Sequence, residues 1–312
     1  MTQVYRYPSS LPEEYGESCV AVGMFDGLHR GHQAVLERLS DLSQSNHLSS
    51  RVVVSFHPHP AQVLGKRKNV LPISTLRELL EDLDVQGVSA LYLIRFTKEF
   101  SRLSSEEFLN EICVKKLRAK GFVIGPDTAL GKDREGGPPV IEKFFEGRGG
   151  VTARVAALAY HGKPVGSTTI RECLSLGDVE QVNQLLGRPY RIVGKVRRGD
   201  GRGTPLGFAT ANIVPGRRIL PQLGVYACFA VLRGERFRAV CNIGIRPTFG
   251  GKRPRLEVHI LDDFSRELYG ESLEVHFLKF IREERAFDGP SALIEQISHD
   301  VEEVKAYFIE EY

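Results

Sequence analysis

The sequence predicts an α/β domain with a mainly parallel sheet, followed by an antiparallel sheet or small barrel that ends in a helix. With 312 residues, the chain is longer than the roughly 100–200 residues of one domain. Strand-like and helix-like segments alternate up to about residue 185, which is typical of βαβ units. After Gly187, short strand candidates separated by turn residues replace that pattern. We therefore predict two domains, residues 1–185 and 186–312.

The first domain contains four apolar runs that predict buried strands and three segments that predict helices. The strand candidates are Cys19–Phe25, Val52–Phe56, Ala90–Ile94 and Phe122–Gly125. Gln33–Asn46 carries its leucines on one helical face. Thr75–Leu83 and Ser104–Leu117 each begin with a hydroxyl residue that is followed three positions later by Glu78 or Glu107, the spacing of a capping box.

The second domain shows strand patterns until near its end. Its strand candidates are Arg191–Val196, Val225–Leu232, Arg236–Asn242, Arg255–Leu261 and Leu273–Leu278. A closing helix is predicted from about Pro290, and its apolar stripe consists of Leu293, Ile294, Ile297, Val301, Val304 and Phe308. Because the stripe covers only about two heptads, we expect it to pack on the barrel rather than to form a coiled coil.

Composition limits the classes of function. The formal net charge of +3 is too small to indicate nucleic-acid binding. Five cysteines without a CxxC pair argue against a disulfide framework or a structural zinc site. The N-terminus has no apolar signal region, and the longest apolar stretch, Val225–Leu232, is too short to cross a membrane. We expect a cytoplasmic protein that binds neither nucleic acid nor membrane, and a homo-oligomer remains open.

The segment GMFDGLHRGHQ, from Gly23 to Gln33, follows the first predicted strand and opens the first predicted helix. Glycines allow the backbone to approach a phosphate, and a helix N-terminus presents free N–H groups to it. His29 and His32 are three residues apart, so both can face one ligand and stabilise charge on a phosphoryl oxygen. The alternatives are a glycine-rich turn with two incidental histidines and a zinc site, for which no cysteine cluster supplies further ligands.

The second domain contains the loop GKVRRGDGRGTPLGFATAN, from Gly194 to Asn212. Its alternating glycines can wrap phosphates with backbone amides, and Lys195 and the arginines add positive charge. Thr210 and Asn212 lie two residues apart, so in an extended segment both oxygens face one side and can hold Mg²⁺. A dinucleotide-binding loop fits poorly because no long helix follows, and a basic loop for nucleic acid lacks interleaved aromatic residues. A phosphate-binding P-loop ending at Gly131-Lys132 is excluded because the spacing of its glycines is one residue too long.

The first domain resembles the nucleotidyltransferase superfamily through HxGH and, more narrowly, the adenylyltransferase half of bacterial bifunctional riboflavin kinase/FAD synthetases. Three further segments carry the narrower resemblance: SFHPHP from Ser55, RFTKEF with LSSEEF from Arg95, and VGSTTIR from Val165. The chain departs from the family at Met24, where Asn is usual, and at Gly166, where the first Ser of ISSTxIR stands. GxDFxFG reads GPDTALG, so Thr128 and Leu130 replace two aromatic residues while Asp127 is retained.

The second domain resembles the riboflavin kinase domain of the same enzymes. Its loop corresponds to GxGRxLGFPTAN, with Ala209 in place of proline. The resemblance continues through NIGIRPTFG from Asn242, LEVHIL from Leu256, Tyr269-Gly270 and FIREERAF from Phe280. It therefore covers about the whole domain, in order.

The resemblance implies a Rossmann-like HxGH nucleotidyltransferase domain followed by a six-stranded antiparallel barrel with a C-terminal helix. It implies that the barrel domain transfers the γ-phosphoryl group of MgATP to riboflavin, and that the first domain transfers AMP from ATP to FMN, releasing pyrophosphate. Mg²⁺ accompanies ATP as co-substrate, and FMN and FAD are products rather than prosthetic groups. Neither step requires a covalent enzyme intermediate.

Residue roles follow from the same resemblance. His29, His32 and Arg171 are expected to stabilise phosphate charge, and Glu257 is expected to act on the ribityl 5′-hydroxyl. The expected Mg²⁺ ligands are Thr210 and Asn212. The expected ATP- or flavin-binding residues are Gly23, Phe25, Asp26, Gly27, Gly31, His57, Asp127, Ser167, Thr168, Lys195, Gly201, Gly203, Gly207 and Phe208.

Three other hypotheses stay open at this point. The altered GPDTALG segment allows a riboflavin kinase whose first domain is degenerate or regulatory. The chain could also be a flavin sensor that binds nucleic acid. The first domain could instead act on another phosphate ester, such as a pantetheine or choline derivative.

Overall fold

The computed structural model describes residues 1–197, 210–248, 251–264 and 266–311. Its contacts divide the chain into two compact units, Met1–Ser167 and Thr168–Tyr312. The second unit begins earlier than the domain boundary at 185–186, because the helix Val179–Leu186 packs on strands of the barrel. The boundary between the domains therefore stays a prediction. No helix in the described ranges is both long and apolar enough to span a membrane.

The first unit is built on a parallel sheet. Its strands are β1 (Gln3–Arg6), β2 (Ser18–Val22), β3 (Ser50–His57), β4 (Ala90–Arg95), β5 (Ala119–Ile124) and β6 (Val151–Arg154), with a separate hairpin β7 (Ala159–Tyr160) and β8 (Lys163–Pro164). The six-stranded order is β1-β4-β3-β2-β5-β6, and every pairing is parallel. The four predicted strands are confirmed as β2 to β5. Because β1 precedes them, the GMFDG segment follows the second strand of the chain rather than the first.

The helices up to residue 186 confirm both capping boxes, and the last two of them lie in the second unit apart from Ser167. They are α1 (Arg30–Ser45), α2 (Pro60–Val63), α3 (Leu76–Val85), α4 (Ser105–Glu107), α5 (Pro138–Glu146), α6 (Ser167–Ser175) and α7 (Val179–Leu186). Thr75 and Glu78 exchange hydrogen bonds at the start of α3, as Ser104 and Glu107 do at α4. The single helix predicted over Ser104–Leu117 is wrong in its second part. There Phe108–Val114 forms a π-helix, with i→i+5 hydrogen bonds, that buries four of its seven side chains.

Two apolar layers cover the faces of the sheet. Along β3, Val53 faces the layer that contains Leu36 and Leu39 of α1, while Val52 and Val54 face the layer formed with the π-helix and α5. The chain leaves β2 toward β3 on one side and later enters β5 on the other. The connection from β2 to α1 therefore lies at the topological switch point, where ligands of open α/β sheets bind.

The second unit contains a closed antiparallel barrel, which confirms the six-stranded prediction. Its strands are β9 (Tyr190–Arg197), β10 (Ala211–Ile213), β11 (Gly224–Leu232), β12 (Glu235–Thr248), β13 (Gly251–Ile260) and β14 (Ser272–Glu283). The closed order is β10-β13-β12-β11-β14-β9. The helix α8 (Pro290–Glu311) buries Val301, Val304 and Phe308 against the barrel, as the apolar stripe predicted.

Candidate active sites

Hydrogen bonds connect the turn between β2 and α1 to the segment that precedes α3. The Asp26 carboxylate accepts the backbone N–H groups of Ile73 and Ser74 at 2.9 and 3.2 Å. Gly27 has a φ of +82°, and a Cβ atom there would lie 2.8 Å from Ile73 Cγ2, so only glycine fits. The hydrogen bonds from Ile73 and Ser74 show that the Asp26 carboxylate holds the shape of the turn, while its predicted contact with substrate stays a prediction.

Two histidines are packed together at the start of α1. His29 caps the helix, because its Nδ1 accepts the backbone N–H of His32 at 3.3 Å. The two rings are stacked with centroids 3.7 Å apart. Phe25, whose side chain is 2% exposed, packs its ring 4.9 Å from that of His32. A Cβ atom on Gly31 would lie 3.1 Å from His29 Nδ1, so the glycine leaves room for the capping ring.

Burial keeps both imidazoles neutral. Desolvation lowers the pKa of His29 to about 4, against a smaller opposing effect of its own backbone and of Asp127. Desolvation, followed by the neighbouring His29, lowers the pKa of His32 well below its ordinary value. Since His29 Nδ1 accepts a hydrogen bond, the neutral ring carries its proton on Nε2. His32 Nδ1 is buried and has no hydrogen-bond partner among the residues described. The pair can therefore offer uncharged imidazole nitrogens to a phosphate.

Three other predicted residues lie at the same edge of the sheet. Ser167, at the start of α6, donates its hydroxyl to the Asp26 carbonyl at 3.2 Å. His57 is the exposed last residue of β3, and Asp127, also exposed, follows β5. Thr168 and Arg171 lie on α6 but belong to the second unit, so their contact with ATP stays a prediction.

The two lost aromatic positions of GPDTALG differ in their surroundings. Leu130 is 6% exposed and lies in the core formed with the π-helix and α5. The Thr128 hydroxyl oxygen accepts a hydrogen bond from the backbone N–H of Gly125 at 3.0 Å. The replacement of phenylalanine by Leu130 thus changes core packing, and only the replacement at Thr128 can alter the surface near the site.

Arg95 is a further candidate, because it begins the RFTKEF segment although no role in the site was predicted for it. It ends β4 with its Cα opposite that of His57. Strand alternation places Leu91, which contacts the α1 layer, on the same face as Arg95, and Val53 on the same face as His57. Arg95 is exposed, and no described residue forms an ion pair or hydrogen bond with its guanidinium. Its position at the end of a strand, like that of His57, was the available signal.

The second candidate site is a polar row across three barrel strands. Glu257 of β13 lies opposite Asn212 of β10 on one side and opposite Asn242 of β12 on the other. Directly opposed side chains have Cβ atoms about 4.5–5.5 Å apart. Asn212 Oδ1 is buried without a hydrogen-bond partner within the described ranges. The structure thus brings together the predicted metal ligand and the predicted catalytic carboxylate.

A cavity of about 360 Å³ adjoins this row. Thr210 lines it, together with residues that include Val196, Ala211, Val258, His259 and Tyr269. Its mixed apolar and polar walls and its size suit part of a small-molecule substrate. Lys195 is exposed on β9. Gly201, Gly203, Gly207 and Phe208 lie outside the described residues.

The donor set fits magnesium. No group of three His, Cys, Asp or Glu side chains that could hold a metal ion occurs among the described residues. An unpartnered amide oxygen on Asn212 and the nearby hydroxyl of Thr210 are hard ligands, and Mg²⁺ in kinases takes few protein ligands because ATP supplies others.

Comparison with known proteins agrees with this division into two sites. The FAD synthetase family model matches residues 11–169, and the riboflavin kinase family model matches residues 186–308. The bifunctional riboflavin kinase/FMN adenylyltransferase of Bacillus subtilis is 38% identical over 96% of this chain and 95% of its own. The Escherichia coli K12 protein of that name is 35% identical over 96% of each chain. This chain belongs to the bifunctional riboflavin kinase/FMN adenylyltransferase family.

A solved structure extends the family fold over both units. It is titled a macrolide-efflux protein from Streptococcus pneumoniae, is 28% identical, and has a TM-score of 0.86 over 97% of this chain and 98% of its own. The family models and the curated relatives confirm the predicted family and enzyme class, and the sheet and the barrel confirm the predicted fold class.

Proposed function

We propose that this protein phosphorylates riboflavin to FMN with ATP and then transfers AMP from a second ATP to FMN, giving FAD and pyrophosphate. The observation that carries the proposal is the pairing of two separate site types in one chain. Neutral, stacked histidines cap a helix in the first unit, and the Asn212–Glu257 row lies in the barrel. Membership of a family named for both activities supports it.

In the first site, the FMN phosphate attacks the α-phosphorus of ATP and pyrophosphate leaves. His29 Nε2–H and the His32 imidazole donate to phosphate oxygens, where negative charge increases in the transition state. Ser167 adds a hydroxyl donor, and we expect Thr168 and Arg171 to bind ATP phosphates, as the family resemblance implies. The fixed turn around Asp26 and Gly27 holds the two histidines and Ser167 in place before substrate arrives.

In the second site, Glu257 accepts the proton of the ribityl 5′-hydroxyl as that oxygen attacks the γ-phosphorus of ATP. Thr210 and Asn212 would hold Mg²⁺, and a bound Mg²⁺ would supply positive charge beside the ATP phosphates. The loop with Lys195, Gly201, Gly203, Gly207 and Phe208 would enclose those phosphates. The cavity beside Thr210 would receive a ring of one substrate.

The alternative is a riboflavin kinase with an inactive first domain. The altered GPDTALG segment motivated it, but Leu130 belongs to the core, and the FAD synthetase model matches the first domain. That the protein is cytoplasmic and binds neither nucleic acid nor membrane stays a prediction, and its oligomeric state stays open.

The deciding experiment separates the two reactions. Purified protein is incubated with FMN, MgATP and pyrophosphatase, and FAD is measured by chromatography; a parallel reaction with riboflavin measures FMN. We expect both products in the wild type. We expect His32→Asn to abolish FAD formation only, and Glu257→Gln to abolish FMN formation only. Robust FMN formation without any FAD would support the kinase-only alternative.

A further inference from the structure

The loop of residues 130–136, which follows β5, is closed on itself and attached to the start of α4. Its ends are joined by two backbone hydrogen bonds, each of 2.9 Å, between Leu130 and Gly136. On the side of the helix, the Glu135 carboxylate accepts the backbone N–H of Ser105 at 2.8 Å. These contacts hold the backbone of the 130–136 loop in one position.

Arg134 has an unusual backbone conformation within this loop. Its φ is +61° and that of the preceding Asp133 is +53°, so two consecutive residues other than glycine lie in the left-handed region. This region costs free energy for a residue with a Cβ atom, and residues that remain in it are held there by surrounding contacts, often at functional sites. Glycine would avoid the strain at this position. The presence of arginine therefore indicates a use for its side chain.

The Arg134 side chain is directed to the end of the sheet where the first candidate site lies. Its Nη2 donates a hydrogen bond to the backbone carbonyl of Asp127, which follows β5, at 2.9 Å. Asp127 lies close enough to His29 for its carboxylate to raise the pKa of that histidine, against the larger effect of burial. Asp127 thus connects Arg134 to the stacked histidines.

A phosphate at these histidines requires positive charge from another residue. His29 and His32 are neutral, and the exposed Asp127 carboxylate repels an anion. The Arg134 guanidinium is exposed, and the hydrogen bond to the Asp127 carbonyl is its one polar contact with the described residues. Its remaining N–H groups can therefore donate to phosphate oxygens, in the paired geometry that guanidinium groups favour.

We propose that Arg134 is a phosphate-binding residue of the adenylyltransferase site and that the 130–136 loop holds it there. Its guanidinium donates to a phosphate oxygen of ATP or of FMN and supplies the positive charge that the neutral histidines lack. Asp127 orients the guanidinium through its carbonyl oxygen, and Glu135 holds the loop against α4. This inference rests on the proposed FMN adenylyltransferase activity.

The first test compares Arg134→Gln with Lys132→Gln in the formation of FAD from FMN and ATP. We expect Arg134→Gln to raise the KM for one of the two substrates about tenfold or more, the effect of losing a hydrogen bond between charged groups. The affected substrate identifies the phosphate that Arg134 binds. Formation of FMN from riboflavin should stay at the wild-type level. Lys132→Gln removes an exposed positive charge from the same loop and should leave both KM values unchanged.

The second test uses Arg134→Gly, which removes the side chain and relieves the strain at a φ of +61°. We expect its thermal unfolding midpoint to be no lower than that of the wild type, while the KM for the same substrate rises as in Arg134→Gln. A lower midpoint together with unchanged KM values would show a structural role alone and overturn the inference.

The third test removes the attachment of the loop. Glu135→Ala lacks the acceptor of the Ser105 N–H and should raise the KM for the same substrate. The double variant Glu135→Ala/Arg134→Gln should be no worse than Arg134→Gln alone, because the loop acts through the arginine. Additive losses would overturn the role of the loop.

Two results of the first test would overturn the binding role of Arg134. One is that Arg134→Gln keeps both KM values within about twofold of the wild type, and the other is that Lys132→Gln raises them equally, which is the effect of overall charge. A wild-type protein that makes no FAD would instead overturn the proposed adenylyltransferase activity.

Discussion

The imidazole rings of His29 and His32 are stacked, with centroids 3.7 Å apart and planes inclined by 17°. His29 is 6% exposed, and His32 is half-buried with its Nδ1 shielded from water, so a proton on either ring would be poorly solvated and would lie directly against the neighbouring ring. The pair therefore presents neutral imidazole groups at a helix N-terminus, where the helix dipole already favours anions.

The depressed pKa of His29 makes the first unit less stable in mild acid. The unfolded chain protonates this histidine near pH 6.5, while the folded protein does so only near pH 4. Between these values the unfolded state binds more protons, so the free energy of unfolding falls as the pH falls. We expect His29 to account for a loss of about 1 kcal/mol between pH 7.0 and 5.5.

The measurement is calorimetric unfolding at the two pH values for wild type and His29→Asn. Asparagine retains a helix-capping side chain without a group that titrates in this range. The variant should lose less stability than the wild type on acidification. Equal losses would show that His29 titrates normally in the folded protein.

Asn212 should control the magnesium requirement of the kinase. Its buried Oδ1 has no partner in the parts of the chain described, and Asn212→Ala removes it with little change in volume elsewhere. We expect the Mg²⁺ concentration for half-maximal FMN formation to rise about tenfold or more, the effect of losing one ligand contact of about 1.5–3 kcal/mol. The Mg²⁺ dependence of FAD formation in the same protein is the control. An unchanged requirement for FMN formation would exclude Asn212 as a ligand.

Arg95 should bind a phosphate group in the first site. It is exposed on the face and edge of the sheet that carry His57, without a carboxylate partner among the described side chains. We expect Arg95→Gln to raise the KM for FMN or for ATP in FAD formation about tenfold, and the affected substrate identifies the phosphate. Arg77→Gln, which removes an exposed arginine paired with Glu81, is the matched control. If both KM values are unchanged, Arg95 takes no part in substrate binding.

The ion pair between α8 and β14 should stabilise the barrel. Arg282 donates two hydrogen bonds to Asp300, at 2.8 and 2.6 Å, and Asp300 is 3% exposed. Asp300→Ala would leave the guanidinium unpaired, which costs about 3 kcal/mol or more for a buried pair. Glu302→Ala removes an exposed pair with Lys305 and should cost less than about 1 kcal/mol. Thermal unfolding of both variants tests this, and equal midpoints would contradict it.

The sequence predicted those features that have local signals. The apolar runs of β2 to β5, the capping boxes at Thr75 and Ser104, and the stripe on α8 each depend on residues close in the chain, and all were found. β1 (Gln3–Arg6) and β10 (Ala211–Ile213) were missed because three or four residues show too little periodicity. Both are positioned by pairing with strands that come later in the chain, β1 with β4 and β10 with β13.

The sequence alone could not predict the roles of site residues whose contacts lie far away in the chain. Asp26 stands inside a phosphate-binding motif, yet its carboxylate bonds to Ile73 and Ser74, 47 and 48 residues away. The position of Glu257 between Asn212 and Asn242 likewise arises only when β10, β12 and β13 are assembled. Motifs identify which residues gather at a site, whereas the contacts of each side chain require the fold.

The closed barrel also constrains the order of folding during synthesis. β9 pairs with β14. The barrel therefore cannot close until the residues near 275, which pair with those near 190, have been synthesised. The parallel sheet of the first unit needs nothing beyond residue 154 for its strands. Because long-range pairings slow folding and domains fold as units while the chain emerges, we expect the first unit to fold on the ribosome while the barrel is still incomplete. A ribosome stalled near residue 250 should therefore carry a protease-resistant N-terminal unit and a barrel segment that is still cleaved.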